Sequence, residues 1–289
     1  MTASTVETIR NSLESGLAIP YLGAGVLSLA GEACPLPASP DVLVDRLTAK
    51  ASVPHKIRKN LTAAAQFIEN FKHRKTVVKA MSEAFSAKVQ PPALHRYLAS
   101  LPALKLLVHA WYDDLPQKAL AGREGWGIVQ AVAQSEHFGE WVRYYRGEEQ
   151  RDAGEAESWT PLLYQPLGSV WPAANFIVSD SDFVEVLTEI DIQTPIPEAV
   201  QNIRKGRSFL FLGCRFSSQV ERAFPQQVMK RSSDRHWAVL PEEPAPNEVR
   251  FMQLYKIERI AMPLAEFAAQ LTGESAAKED ADAVRALAS

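Results

Sequence analysis

The sequence predicts an α/β fold, a Rossmann-like parallel sheet with helices on both faces and a helical insertion after the first strand. Short apolar runs typical of buried strands alternate along the chain with stretches of helical periodicity. The first apolar run, residues 17–22, ends in Gly23-Ala24-Gly25, as expected where a strand meets a tight loop. Residues 41–101 carry almost only helical patterns and separate the first strand from the second.

The first part of the chain supplies two strands and most of the predicted helices. Val6, Ile9 and Leu13 lie on one helical face, which predicts a helix over residues 4–15. After the first strand come predicted helices at 41–50, within 56–88 (divided near His73) and at 94–101, and then a strand that leads into a helix at 104–120.

The second part alternates strands and helices more regularly. In order, the predictions are a strand or short helix in 125–138, a strand in 140–147, a strand in 162–172, a strand and a helix in 175–190, a helix in 195–206, and strands in 207–216, 234–241 and 254–260. Residues 146–161 are polar and acidic and predict an exposed loop. One domain therefore spans residues 1–272, and we expect the polar tail 273–289 to be disordered.

Composition excludes several classes of protein. The 289 residues are 46% hydrophobic and carry a formal net charge of −3 without a dense basic block, which argues against nucleic-acid binding. No apolar run reaches the roughly 18 residues of a membrane span, and the N-terminus lacks the pattern of a signal peptide. The two cysteines, Cys34 and Cys214, cannot form a four-thiolate zinc site, so we expect no metal and a cytoplasmic location.

Gly23-Ala24-Gly25-Val26 is the first candidate binding segment. Glycines after a strand let the backbone approach a pyrophosphate, with N–H groups directed at it. A tight turn that binds nothing is an equally open interpretation of this loop taken alone.

Further segments occur in a recognisable order. After the glycine loop and Gly31, they are His95-x-x-Leu98-x-x-Leu101, Ala110-Trp111-Tyr112-Asp113, Pro166-Leu167-Gly168-Ser169, Ser179-Asp180-Ser181-Asp182-Phe183 and Phe211-Leu212-Gly213-Cys214-Arg215. Together they resemble the sirtuin-like NAD-binding family, in its short bacterial form without a zinc module. The resemblance covers about residues 17–271. It implies NAD or ADP-ribose as a ligand, with Gly213, Cys214 and Arg215 near the adenosine half.

Three positions depart from the family pattern. The resemblance implies an Asn where Trp111 stands, a catalytic His where Leu167 stands and a Ser where Leu27 stands. An indole cannot act as an amide, and neither leucine can accept a proton or donate a hydrogen bond. We therefore expect these three side chains to converge and fill the nicotinamide end of the pocket, and we expect the family's catalysis to be lost.

Few other residues offer replacement chemistry. His109 lies two residues before Trp111, on the same strand face, and is a candidate base. Asp113 is a second candidate, although a helix cap is the favoured role. Arg215 is a candidate partner for a phosphate or carboxylate, whereas Cys214 has the features of a small buried residue rather than a nucleophile.

Two functions follow from the resemblance. The favoured one is a sirtuin-like pseudoenzyme that acts through a protein partner, either with NAD or ADP-ribose bound or without any ligand. The segment 141–146, Trp-Val-Arg-Tyr-Tyr-Arg, is the candidate contact, since Trp, Tyr and Arg are enriched in binding hot spots. The alternative is an active NAD-hydrolysing enzyme of the bacterial defence type with a non-standard base. A homo-oligomer remains open in both cases.

Overall fold

The computed structural model describes residues 2–192 and 196–273. Its strands are β1 (Ala18–Leu22), β2 (Leu106–His109), β3 (Gly127–Ala131), β4 (Val142–Arg146), β5 (Glu149–Arg151), β6 (Leu162–Gln165), β7 (Gly168–Ser169), β8 (Asn175–Phe176), β9 (Ser208–Leu212), β10 (His236–Val239) and β11 (Ile257–Ile260). Its helices are α1 (Thr2–Glu14), α2 (Pro40–Lys50), α3 (Leu61–Lys72), α4 (Arg74–Ala84), α5 (Ala93–Ser100), α6 (Leu115–Leu120), α7 (Asp180–Ile192), α8 (Glu198–Arg204), α9 (Gln219–Val228), α10 (Pro246–Leu254) and α11 (Leu264–Thr272).

A nine-stranded sheet forms the centre of the fold, in the order β11-β10-β9-β1-β2-β6-β3-β4-β5. All neighbouring pairs from β11 to β3 are parallel, whereas β4 and β5 continue the sheet as antiparallel strands. Helices α1, α5 and α11 pack on one face, and α8, α9 and α10 pack on the other. The predicted Rossmann-like sheet with helices on both faces is confirmed.

The helical insertion lies between β1 and β2 and comprises α2 to α5. The predicted helix over 56–88 starts only at Leu61, because the side chain of Asn60 accepts a hydrogen bond from the Ala63 N–H (3.1 Å) and caps the helix there. The helix divides at His73, which has φ 67 and separates α3 from α4.

Arg74, the first residue of α4, ties this insertion to the rest of the protein. Its guanidinium contacts Asp182 (2.7 Å), Glu136 (3.0 Å) and Glu69 (3.2 Å) and donates to the carbonyl of Phe176. The Asp182 side chain is fully buried, and it also accepts hydrogen bonds from two backbone N–H groups at the start of α7. Three carboxylates from separate segments therefore depend on one largely buried cation.

The segment predicted as an exposed loop over 146–161 is in fact partly ordered into the sheet. It contains β5, which pairs with β4 after a turn at Gly147 (φ 63), and a 3-10 turn at Ala153–Ser158. Trp159 is buried because its ring lies over Gly127, where a Cβ atom would come within 2.2 Å of it. Most other residues of the segment are exposed, as a polar sequence requires.

Three further outcomes concern the second half of the chain. Residues 125–138, for which strand and helix were both open, form strand β3 followed by a loop. Helices α9, α10 and α11 were not predicted, although α9 begins with a Ser218–Glu221 capping box, α10 begins at Pro246 and α11 directly follows Pro263. The predicted disordered tail, apart from Gly273, lies outside the described residues. None of the helices described combines the length and apolarity needed to cross a bilayer.

Candidate functional site

The glycine loop after β1 packs directly against the loop after β9. The N–H of Gly23 donates to Leu212 O and that of Gly25 donates to Gly213 O, both at 2.9 Å. Gly213 has φ 63, and a Cβ atom there would lie 2.3 Å from Val26 N. Backbone therefore meets backbone, and two of the N–H groups expected to face a pyrophosphate are already used within the protein.

The rest of this loop is also occupied by internal contacts. Val26 is fully buried, and its N–H donates to Gly23 O at 3.2 Å. Ala24 packs against the apolar cluster formed by the insertion. The loop has the predicted position at the carboxyl end of β1, where ligands bind in open α/β sheets, but its geometry is accounted for by packing alone.

Leu27, Trp111 and Leu167 meet in one apolar cluster. Leu27 is 0% and Trp111 4% exposed, and Leu167 packs against both this cluster and a smaller one beside α7. The Trp111 indole N–H donates to Pro37 O (2.8 Å), and its ring lies 4.9 Å from that of Tyr112. Side chains of α2, α3 and α4 complete the cluster, so the insertion covers these three residues.

His109 and Asp113 pair with each other in the interior. Both are 0% exposed, and His109 Nε2 lies 3.1 Å from Asp113 Oδ2. Asp113 Oδ1 accepts the N–H of Leu115 (3.1 Å), the first residue of α6, but the N-cap position itself is taken by Asp114, whose side chain does not cap the helix. Burial by itself would raise the pKa of Asp113, but the attraction of His109, their hydrogen bond and the nearby His95 together lower it. Neither candidate base is accessible to a substrate in this structure.

His95, on α5, belongs to the same buried group. It is 2% exposed, and its two ring nitrogens have no hydrogen-bond partner among the described residues. Burial lowers its pKa to about 4, against a smaller raising effect of Asp113. The imidazole is therefore neutral near pH 7, and it takes part in packing rather than in charge transfer.

The residues after β9 are committed to other partners. Arg215 forms ion pairs with Glu248 (3.2 Å), whose side chain is fully buried, and with the more exposed Glu242. Its guanidinium thus neutralises carboxylates of this chain. The thiol of Cys214 lies near the carbonyls of Leu212 and Tyr21, and burial raises its pKa well above the usual value, which argues against a nucleophile.

Ser169, in the segment matched to the catalytic motif, is fully buried. Its hydroxyl lies within hydrogen-bond distance of the carbonyls of Tyr112 (3.2 Å) and Asp113 (3.1 Å). Two glutamines, Gln117 and Gln130, also donate to carbonyls in residues 169–173. Sequence analysis did not identify these glutamines, whose role is to satisfy buried backbone groups around β7.

These residues do not fit the nicotinamide end of NAD. The three positions at which the resemblance implies polar residues carry apolar side chains, and His109 and Asp113 are buried and paired with each other. Within the described ranges, no three His, Cys, Asp or Glu side chains are placed so that they could hold a metal ion.

A separate cleft of about 430 Å³ opens between the β4–β5 hairpin and the start of α8. It includes residues of the 141–146 segment that the sequence marked as a candidate contact. Its walls include Trp141, Tyr144, Arg151 and Glu198. Sequence analysis did not place Glu198 opposite this hairpin, because the two are far apart along the chain.

Comparison with known proteins gives one family match and several structural ones. One similar structure is a Sir2 enzyme solved for its mechanism and regulation, with 14% identity and a TM-score of 0.42 over 96% of this chain and 99% of that chain. A second is a Sir2 bound to acetylated peptide, with 15% identity and a TM-score of 0.43 over 96% of this chain and 99% of that chain. A third is a variant of a Sir2 homologue in complex with ADP ribose, with 14% identity and a TM-score of 0.40 over 92% of this chain and 94% of that chain. Comparison with curated proteins gives no match.

The family model is described as the SIR2-like domain and matches residues 105–260, more than half of the 289 residues. The match begins at β2 and ends with β11, so it includes the segments around Trp111, Leu167 and Gly213 but not the glycine loop after β1. The chain belongs to the SIR2-like domain family.

Proposed function

We propose that this SIR2-like protein is a cytoplasmic pseudoenzyme that acts by binding a protein partner. The observation that carries the proposal is the apolar cluster of Leu27, Trp111 and Leu167. These side chains stand where the family resemblance implies a Ser, an Asn and a His. Apolar side chains packed under the helical insertion thus stand in for the three polar residues that the resemblance implies, which supports the loss of the family's catalysis.

The chemistry that remains is poorly suited to cleaving NAD. A general base must come within hydrogen-bond reach of the proton that it removes. His109 and Asp113 are fully buried and pair with each other. The hydroxyl of Ser169 is engaged by backbone carbonyls. A replacement mechanism would therefore require a large rearrangement of the interior.

The glycine loop remains the candidate contact for NAD or ADP-ribose. Its position at the carboxyl end of β1 supports such binding. Its internally bonded N–H groups and the carboxylate partners of Arg215 weigh against it. We propose that a retained nucleotide would contact the Gly213 side of the loop, away from Trp111.

Calorimetric titration of the purified protein with NAD, combined with chromatographic detection of nicotinamide, tests this function. We expect no nicotinamide release. A saturable heat signal without turnover would identify a nucleotide-binding pseudoenzyme, and an absent signal, followed by titration with ADP-ribose, would identify a ligand-free scaffold. Sustained release of nicotinamide would refute the pseudoenzyme and favour the NAD-hydrolysing alternative.

The interaction half of the proposal needs its own experiment. Chemical cross-linking in cells that produce the protein, followed by mass spectrometry, should give a reproducible partner whose cross-links map to one surface. Cross-links scattered without a preferred surface would contradict a role as a specific interaction protein.

A further inference from the structure

The cleft beside the β4–β5 hairpin has the size and mixed lining of a binding site. Its volume of about 430 Å³ lies within the range of roughly 300–1,000 Å³ found for ligand pockets. Trp141 and Tyr144 contribute aromatic rings, and Val142 and Ile196 contribute apolar surface. Such a lining combines an apolar wall with a few polar groups that can orient a bound side chain.

The charges of the cleft leave one carboxylate uncompensated. Arg143 is held by Glu140, with contacts of 2.7 and 2.8 Å, and Arg151 pairs with Glu149 at 2.5 Å. Glu198, in contrast, forms no ion pair within the described part of the chain. The charge that remains for a ligand to neutralise is therefore negative.

The carboxylate of Glu198 lies beside an aromatic residue of the cleft, Tyr144. Burial, followed by the negative charge of Glu198, raises the pKa of Tyr144, so the carboxylate lies near this tyrosine. A carboxylate beside aromatic rings favours an organic cation, which gains both an ion pair and a cation–π contact. The apolar Val142 and Ile196 suit the aliphatic stem that carries such a cation.

We propose that this cleft receives an arginine side chain from the protein partner. The guanidinium would pair with Glu198 and stack on Tyr144 or Trp141, while the stem would lie against Val142 and Ile196. A planar guanidinium meets these requirements better than an ammonium group, because it stacks on rings and pairs with carboxylates in a bidentate manner. The assignment rests on the proposed interaction function and names the chemistry of the partner.

A peptide titration followed by NMR tests the cleft directly. The probe is the blocked peptide Gly-Gly-Arg-Gly-Gly, and its control carries citrulline, which keeps the shape of arginine but lacks the charge. We expect the arginine peptide to shift the backbone amide signals of Tyr144, Arg151 and Glu198 in the ¹⁵N-labelled protein. The citrulline peptide should bind at least about fivefold more weakly.

Two variants make the test specific. Glu198→Gln should weaken binding of the arginine peptide about tenfold, because it removes one charge-assisted contact. Glu157→Gln removes the same charge at an exposed position outside the cleft and should leave binding unchanged. Equal binding of both peptides, or equal binding by wild type and Glu198→Gln, would overturn the assignment.

The outcome also separates this assignment from the proposed function. If the cleft ignores the arginine peptide while a partner still cross-links to a defined surface, the interaction function stands and the arginine assignment is wrong. If nicotinamide is released, the pseudoenzyme is wrong whatever the peptides do.

Discussion

Truncation of Trp111 tests whether the former nicotinamide end is now part of the core. The side chain is 4% exposed, packs against Tyr112 and Phe85 and donates a hydrogen bond to the buried Pro37 carbonyl. Trp111→Phe keeps a ring but leaves that carbonyl without its donor, which should cost about 1–3 kcal/mol of unfolding free energy. Trp111→Ala should cost about 3–5 kcal/mol, because a cavity is added to the lost contacts.

Urea unfolding followed by far-UV circular dichroism measures both variants. Phe138→Ala is the control, since Phe138 is 95% exposed and its loss should change stability by no more than about 0.5 kcal/mol. A cost below about 1 kcal/mol for Trp111→Ala, together with tighter NAD binding, would mean that the indole lines an open pocket. That result would remove the structural basis of the pseudoenzyme.

Three further predictions concern the glycine contact, the insertion and the buried histidine. Gly213→Ala should prevent folding or lower the free energy of unfolding by more than about 3 kcal/mol, because a Cβ atom there would meet the backbone of Val26. Gly206→Ala is the control: Gly206 has φ 69 but nothing within 4 Å of an added Cβ, so its loss should cost only about 1 kcal/mol. Thermal unfolding of both variants measures the difference. Arg74→Gln should cost about 3–5 kcal/mol in urea unfolding, because it leaves the buried Asp182 without its cation; a cost below 1 kcal/mol would contradict this. The folded-state pKa of His95, about 4, lies below its ordinary value of 6.5, so the unfolded chain binds more protons between these two pH values. The free energy of unfolding should therefore fall by roughly 3 kcal/mol from pH 6.5 to pH 4. If a His95→Phe variant shows the same pH dependence of unfolding free energy as the wild type across this range, the assignment is refuted.

The fold was predictable because its strongest signals are local. The strands β1, β2 and β9 each correspond to a short apolar run in the sequence. The cap at Asn60 and the Ser218–Glu221 box are equally local signals, but the prediction did not use them. What the sequence did not predict depends on contacts between distant segments. The pairing of β5 with β4 is an exception, because these strands are neighbours along the chain; β5 was missed because its polar residues lack the apolar pattern of a buried strand.

The meeting of three apolar residues in one cluster was also predictable. Leu27, Trp111 and Leu167 follow β1, β2 and β6, and the carboxyl ends of parallel strands meet at one edge, so their meeting in one cluster follows from topology. The Arg74 contacts and the position of Glu198 opposite the hairpin could not be inferred in this way. Both bring together residues from elements whose order in space is set only by the complete fold.

The glycines and the apolar substitutions carry different information about function. Gly25 and Gly213 are needed wherever the loops after β1 and β9 approach at backbone distance, whether or not a nucleotide lies nearby. Their presence therefore supports the fold and says little about chemistry. Trp111 and Leu167 are not required by any backbone conformation, and a polar residue at either position would need a hydrogen-bond partner within an apolar cluster. It is these side chains, rather than the glycine motif, on which the inference of lost NAD chemistry depends.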